Sequence, residues 1–208
     1  MAYARGRAQS GPWRTRERLT TPREWSLSCR LLSSCPATST LARRGWGGDR
    51  HLFGSPEALF ALAERDQQLV VDRLRHRSTD GVLYYSDGTT APRLPALFRW
   101  MWDGEFAGNI DLRWQPDGDG RLPDDVPGHL GYGTVEWKRG RGYATRALSL
   151  MLALATAEGM TQVELVTAVG NAASHRVVEN NGGVRIEEFR QADRLGGGQA
   201  ILWRIDLS

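Results

Sequence analysis

Several residue types are scarce in this sequence, and each shortage excludes something. Only one of the 27 basic residues is a lysine, Lys138. Because arginine is the default cation throughout, the Arg-rich N-terminal segment is weak evidence for an organellar transit peptide. The only two cysteines, Cys29 and Cys35, have no histidine at metal-binding spacing, which favours reduced thiols in a cytoplasmic protein over a disulfide and predicts no metal site. No run approaches 18 apolar residues, so we expect no membrane-spanning helix.

The charged residues are unevenly distributed. Residues 1–50 carry a net charge of about +7, whereas residues 51–208 carry about −4. A mildly acidic body argues against nucleic-acid binding, which requires a basic face on the folded domain. We therefore expect neither nucleic-acid nor membrane partners, with a basic arm that contacts RNA or anionic lipid as the alternative. The many Arg, Ser, Thr and Pro residues predict a disordered basic extension over residues 1–50 and a folded domain over 51–208.

The folded part alternates helical and strand patterns. Ser55 begins a predicted helix that runs to about residue 75, and two aromatic-rich runs around residues 103–105 predict a hairpin. The predicted strands are Val82–Tyr85, Leu97–Trp102, Phe106–Trp114, His129–Glu136, Thr161–Ala168, Val184–Arg190 and Ala200–Leu207, with helices over 144–159 and 171–183. This order predicts an α/β fold of the α+β type. Gly131 and Gly133 in the central strand indicate a bulge or the close approach of another group.

A glycine-rich turn, RGRGYA, joins the central strand to the following helix and clusters Lys138, Arg139 and Arg141 at the helix start. Glycines let backbone N–H groups point outward, and a helix N-terminus carries about half a positive charge, so such a turn favours phosphate. It is not a P-loop, because no Lys-Ser/Thr pair follows. It is not a G-x-G-x-x-G dinucleotide loop either, because Thr145 occupies the third glycine position. Taken alone, the turn predicts either an anion site or a plain loop.

Two motifs together resemble those of the GNAT N-acetyltransferase superfamily. Residues 139–144 resemble its R/Q-x-x-G-x-G/A signature, and residues 171–174, running to 181–183, resemble its N-x-x-S/A…G-F segment. The resemblance covers about residues 80–208, with the core motifs over 97–190. It implies the GNAT fold, which is a mixed, mostly antiparallel sheet flanked by helices, with a V-shaped splay between the central strands. It further implies direct transfer of an acetyl group from acetyl-CoA to a primary amine of a small molecule or peptide, without a metal, in a possible homodimer.

The resemblance also implies roles for individual residues. Backbone groups of Thr134 and Val135 would hold the pantetheine arm and the thioester, Asn171 would hydrogen-bond the pantetheine, and Ser174 lies one turn further on. The pyrophosphate would be bound by the amides and charges of Arg139, Gly140, Arg141, Gly142, Tyr143 and Ala144, with the hydroxyl of Thr145 in the first helical turn.

The catalytic assignments stay more open. His129 is a candidate general base, and equally a strand-end histidine with a structural hydrogen bond. Tyr132 is a candidate for polar assistance, or else a packed strand aromatic. The tyrosine that many family members carry seven residues after the helix asparagine is Val178 here, and the Gly-Phe ending is Gly182-Gly183. A non-catalytic acyl-CoA-binding module is therefore the alternative function, and a basic-arm adaptor for RNA or membrane is a second one.

Overall fold

The computed structural model describes residues 26–28, 61, 65–66, 82–84, 88–115, 122–123, 126–195 and 197–207. Most of the helix predicted from Ser55, and most of the predicted N-terminal extension, lie outside these residues. Among the described residues, no helix has the length and apolar character needed to cross a bilayer.

The described elements follow the predicted order from the hairpin onward. They are β1 (Ser26–Ser28), β2 (Val82–Tyr84), β3 (Thr90–Pro92), β4 (Ala96–Trp102), β5 (Phe106–Arg113), β6 (Leu130–Thr134), α1 (Tyr143–Ala157), β7 (Gln162–Ala168), α2 (Ala172–Glu179), β8 (Val184–Arg190) and β9 (Gln199–Asp206). Short 3-10 helices lie at Glu136–Lys138 and Asp193–Leu195. The strand β3 was not predicted, and α2 is shorter than predicted because residues 180–182 form a turn.

The strands form two main sheets rather than one continuous sheet. The first has the order β1-β4-β5-β6, and the second has the order β7-β9-β8, with every neighbouring pair antiparallel. A separate two-stranded sheet pairs β2 with β3. The helix α1 connects β6 to β7, which lie next to each other and are joined by one isolated bridge, Gly128 to Leu165. The predicted fold class, with a splay between the central strands, is confirmed.

The core lies between α1 and the two sheets. The hairpin strands β4 and β5 are buried over most of their length, as expected for aromatic and branched runs without polar alternation. The helix packs with residues at i, i+3 or i+4 spacing, which places one apolar stripe against β5. The fully buried members of that stripe are Ala147, Leu148, Met151 and Ala155. The tryptophans Trp100 and Trp102 are buried in β4, so these two belong to packing rather than to a substrate site.

One detail differs from the sequence-based expectations. The strand β1 lies inside the segment predicted as a disordered extension and pairs with β4, from Ser26 opposite Trp102 to Ser28 opposite Trp100. The physical reason is that the free edge of β4 offers unpaired N–H and C=O groups to any extended segment.

Of the two alternatives for the central-strand glycines, the structure shows a close approach at Gly131 and no bulge. The β5–β6 register is uninterrupted from Gly108 opposite Thr134 to Leu112 opposite Leu130. A Cβ atom at Gly131 would lie 2.9 Å from Asp111 Oδ1, so the glycine leaves room for a carboxylate from the neighbouring strand.

Candidate functional site

The glycine loop, residues 139–142, leads directly into α1. Gly140 and Gly142 have left-handed φ values of 72° and 78°. At either position a Cβ would meet no atom of the described residues within 4 Å, so backbone conformation and not packing requires glycine. Gly142 is the N-cap of α1 and has no side chain with which to cap it. The first N–H groups of the helix therefore lack a capping side chain at this residue, which is the arrangement that receives anions.

Of the three clustered cations, only two belong to the exposed loop. Arg139 and Arg141 are exposed, and the Arg139 Nε donates to the Thr134 carbonyl at 3.3 Å. Lys138 is only 4% exposed. Its Nζ lies 2.6 Å from Asp103 Oδ1 and 3.2 Å from Glu105 Oε2, in the β4–β5 turn. Its charge is therefore neutralised inside the protein.

The Asp103 carboxylate contacts one residue on each side of the glycine loop. It accepts hydrogen bonds from Lys138 and from the hydroxyl of Tyr143, and also from the Glu105 N–H. Burial raises the pKa of Asp103, but these three hydrogen bonds outweigh it, so the pKa lies below its ordinary value of 3.8.

The strands β6 and β7 meet at one end and separate at the other. The His129 N–H donates to the Glu164 carbonyl at 2.7 Å, and the Glu164 N–H donates to His129 Nδ1 at 3.0 Å. Beyond this point no ladder joins the two strands within the described part of the chain. We call the gap between residues 131–134 of β6 and 166–168 of β7 the V opening.

His129 is thus placed at the vertex of the V opening and is only 1% exposed. Its ring accepts a hydrogen bond from the backbone of the facing strand, which is the structural arrangement that the sequence left open. Because β6 and β7 have few other backbone contacts, this side chain fixes where they separate.

Val135, to which the resemblance assigns a backbone contact with the pantetheine arm, directly follows β6. Its N–H donates to the Ala107 carbonyl at 3.0 Å, and its carbonyl accepts from the Lys138 N–H at 3.0 Å. Both backbone groups of Val135 are therefore engaged within the protein. Thr134, which is half-buried, stands one residue nearer to the V opening.

Tyr132, Ser174 and Asn171 come together beside the V opening. The Tyr132 hydroxyl donates to the Ser174 carbonyl at 3.4 Å, across from β6 to the first turn of α2. The Asn171 side chain caps α2 by accepting from the Ser174 N–H at 3.1 Å. Burial raises the pKa of Tyr132 above its ordinary value of 10, although the hydrogen bond to Ser174 partly lowers it.

Val178 and Gly183, at which the sequence departs from the family motif, lie next to each other. Val178 is 0% exposed and belongs to the core. A Cβ at Gly183 would lie 2.2 Å from Val178 Cγ1, so a residue larger than glycine at 183 requires Val178 to move. A side chain at position 183 and the side chain of Val178 would therefore compete for the same space.

Sequence reasoning did not identify His175. Its Nε2 lies 3.1 Å from the Ala168 carbonyl at the end of β7, and its ring centroid lies 5.5 Å from that of Trp203. It is half-buried on the β7 side of the V opening. The sequence could have indicated that His175 lies near Asn171, because it follows Asn171 by four residues, which is about one helical turn.

Contacts connect the glycine loop to β6, and α1 to α2. The Arg139 Nε donates to the Thr134 carbonyl at the end of β6, and the Asn181 side chain, which follows α2, donates to the Thr145 carbonyl at 3.1 Å. The loop therefore lies beside the end of β6, and the end of α2 lies beside the first turn of α1.

Comparisons with known proteins agree with this architecture. The model of the family described as acetyltransferase (GNAT) domain matches residues 58–184. A crystal structure of a probable acetyltransferase is 15% identical, with 89% of this chain and 94% of that chain covered and a TM-score of 0.57. The ribosomal-protein-S5-alanine acetyltransferase from Vibrio fischeri is 14% identical, with 91% and 96% covered and a TM-score of 0.56. At these identities the likeness shows the fold.

Other matches are partial. A putative GNAT-family acetyltransferase from Bordetella pertussis is 20% identical, with 52% of this chain covered and a TM-score of 0.41, and this chain spans 64% of its length. No curated protein matches the sequence at a significant level. The family match extends over more than half of the chain and includes the glycine loop, the V opening and α2. The chain therefore belongs to the GNAT acetyltransferase family.

Proposed function

We propose that the protein binds acetyl-CoA in the V opening and transfers its acetyl group directly to a primary amine, and that it does so in the cytoplasm. The observation that carries the proposal is that the glycine loop at the start of α1 closely follows β6, the strand that carries the Tyr132 hydroxyl and whose backbone is not paired with β7 beyond the vertex of the V opening. The family of the chain supplies the acetyl transfer, and the amine is our inference.

The geometry supports the binding roles that we propose. The left-handed glycines and the start of α1 suit a pyrophosphate, with charge from Arg139 and Arg141. Thr134, at the end of β6, suits the pantetheine arm. Because the Asn171 oxygen is used as the α2 cap, its amide nitrogen is the group that would reach the pantetheine. The full proposed cofactor set is Thr134, Arg139, Gly140, Arg141, Gly142, Tyr143, Ala144, Thr145, Asn171 and Ser174, with Val135 only through backbone groups that are already bonded.

When bound, acetyl-CoA supplies an acetyl group activated as a thioester. The amine forms the new C–N bond with its lone pair and loses its proton to water, while the C–S bond breaks. Tyr132 is our candidate for the acid that protonates the leaving sulfur, since its hydroxyl lies beside the V opening and carries a proton that it donates to the Ser174 carbonyl. To His129 we assign the positioning of the V vertex rather than the role of base, because its Nδ1 already accepts from Glu164.

A non-catalytic acyl-CoA-binding protein is the second candidate. The observation that favours it is the buried Val178, which leaves the usual helix position without a proton donor. This candidate predicts the same affinity for CoA but no acetylated product.

The test combines binding with turnover. Acetyl-CoA binding is measured by calorimetry, and acetylated products are identified by mass spectrometry over a panel of one aminoglycoside, one polyamine, one amino acid and one peptide that begins with alanine. The peptide is included because the Vibrio fischeri protein is named for an alanine of a ribosomal protein. An acetylated amine supports the proposal, binding without turnover supports the second candidate, and absence of binding contradicts both.

A further inference from the structure

The single lysine of the chain is used for an internal contact between the β4–β5 turn and the glycine loop. Lys138 immediately precedes the loop, and its Nζ contacts Asp103 at 2.6 Å and Glu105 at 3.2 Å. The side chains of Lys138 and Asp103 are 5% and 6% exposed, so this ion pair is largely shielded from water. Buried charges of this kind are retained only when they are paired and hydrogen-bonded.

The same carboxylate holds the residue that follows the loop. Tyr143 is the first residue of α1, and its hydroxyl donates to the second oxygen of Asp103. The Lys138 Nζ also lies 5.9 Å from the centroid of the Tyr143 ring, within the range of a cation–π contact. Asp103 therefore binds both flanks of the four-residue loop, one with each oxygen.

The loop itself has few contacts that would hold it. Its four residues are exposed, and two of them are glycines in the left-handed region. Fixing a flexible backbone costs conformational entropy at every residue, and that cost falls on ligand binding if the free loop is not already ordered. A carboxylate that fixes both flanks reduces this cost before the ligand arrives.

We propose that Asp103 is a positioning residue for the pyrophosphate of CoA, acting through Lys138 and Tyr143 on the glycine loop. This inference rests on the proposed function and deepens it, because it assigns the cofactor affinity partly to a hairpin turn that does not belong to the family motif. It also accounts for the choice of lysine. A compact ammonium fits between two carboxylates and a ring face, whereas a planar guanidinium with five donors is larger and harder to satisfy there.

The decisive experiment separates the pyrophosphate from the rest of CoA. In the Asp103→Asn variant one carboxylate oxygen becomes an NH₂ group, so Lys138 and Tyr143 compete for the remaining acceptor. We expect the Kd for CoA, measured by calorimetry, to rise roughly tenfold or more, as for the loss of a hydrogen bond to a charged group. The Kd for pantetheine, which lacks the pyrophosphate and nucleotide and is measured by NMR titration, should stay the same.

Two further variants keep the test decisive if Asp103→Asn folds poorly. Tyr143→Phe removes only one flank contact and should weaken CoA binding by a smaller factor, again without affecting pantetheine. Ile205→Val, in the buried part of β9, is the control for general destabilisation. It should lower the melting temperature and leave both dissociation constants unchanged.

The outcomes separate the inference from the proposed function. If the wild-type protein does not bind CoA, the proposed function fails and the inference fails with it. If the wild-type protein binds CoA and Asp103→Asn binds it equally well, only the inference is overturned. A parallel loss of CoA and pantetheine binding in Asp103→Asn, together with a lowered melting temperature, would show a purely structural role and would also overturn it.

Discussion

The two ends of α1 carry the same local feature and differ in what surrounds it. Gly142 begins the helix and Gly159 follows its end, with φ values of 78° and 85°. Both are exposed, and at both a Cβ would meet none of the described atoms within 4 Å. At the C-terminal end the chain satisfies its own carbonyls, since the Gly159 N–H donates to Thr156 at 2.9 Å and the Met160 N–H to Ala155 at 3.1 Å.

At the N-terminal end of α1 the helix does not cap its own backbone groups with a side chain. Gly142 offers no capping side chain, no Asp or Glu lies in the first turn, and two exposed arginines stand in the loop before it. A left-handed glycine therefore ends a helix at one site and leaves a positive helix end open at the other. What distinguishes the two is the direction of the helix dipole and the neighbouring charge, and not the glycine.

The largest effect should come from an aspartate at Gly142, compared with the same substitution at Gly159 as its control. Gly142→Asp puts a carboxylate where we place the pyrophosphate, and we expect the Kd for CoA to rise more than about a hundredfold. Gly159→Asp carries the same backbone strain, about 1–2 kcal/mol, and should leave the Kd unchanged. Calorimetry and thermal denaturation of both variants check this. A folded Gly142→Asp variant that binds CoA as tightly as the wild type would contradict the site assignment.

The next effect concerns chemistry at the V opening, next to the N-terminal end of α1. Tyr132→Phe removes the proposed acid and should lower kcat by roughly a hundredfold, with the Kd for CoA unchanged. Tyr143→Phe is the matched tyrosine control, for which we expect the opposite pattern of weaker CoA binding and little change in kcat. Steady-state kinetics with the best amine of the panel distinguish the two. An unchanged kcat for Tyr132→Phe would exclude it as the acid.

A smaller effect should come from the loop charge alone. Arg141→Gln is expected to raise the Kd for CoA by at most about fivefold, the scale of an exposed charge, and the difference should shrink with added salt. Arg190→Gln on β8 also removes an exposed arginine and should have no effect on the Kd. Titrations at two salt concentrations measure this. An effect of Arg141→Gln that does not depend on salt would argue against a charge–phosphate contact.

The last prediction concerns the stability, and not the CoA affinity, that the contact between Asp103 and Lys138 behind the loop provides. The pKa of Asp103 is lower in the folded state than its ordinary value of 3.8. The ionised carboxylate therefore stabilises the folded protein at pH values above 3.8, and this stabilisation is lost as the pH falls through the folded-state pKa. Urea unfolding of the wild type and of Asp103→Asn should show a difference in unfolding free energy that narrows as the pH is lowered below 4. A difference that stays constant across this range would contradict the assignment.

Much of the fold could be predicted from local patterns. The hairpin around residues 103–105, the helix α1 and the strand β7 follow from the alternation and spacing of apolar residues, and β8 was predicted with its observed limits. The strand β1 could not be predicted, because three residues acquire strand structure only from the free edge of β4. Gly131 could not be fully interpreted either, since the carboxylate that it accommodates belongs to another strand.

In the candidate site, too, some features follow from local sequence and others from long-range contacts. The order of a strand, a glycine-rich turn and a helix is local, so the sequence by itself determined where the candidate anion site lies and which family motif it resembles. Only the tertiary structure decided which charges serve it, because Lys138 turns inward to a turn 35 residues earlier in the chain, while Arg139 and Arg141 stay exposed. It also decided the position of His129, whose ring bonds the facing strand. Contacts between residues distant in sequence depend on how elements pack, and apolar spacing and turn chemistry do not specify that.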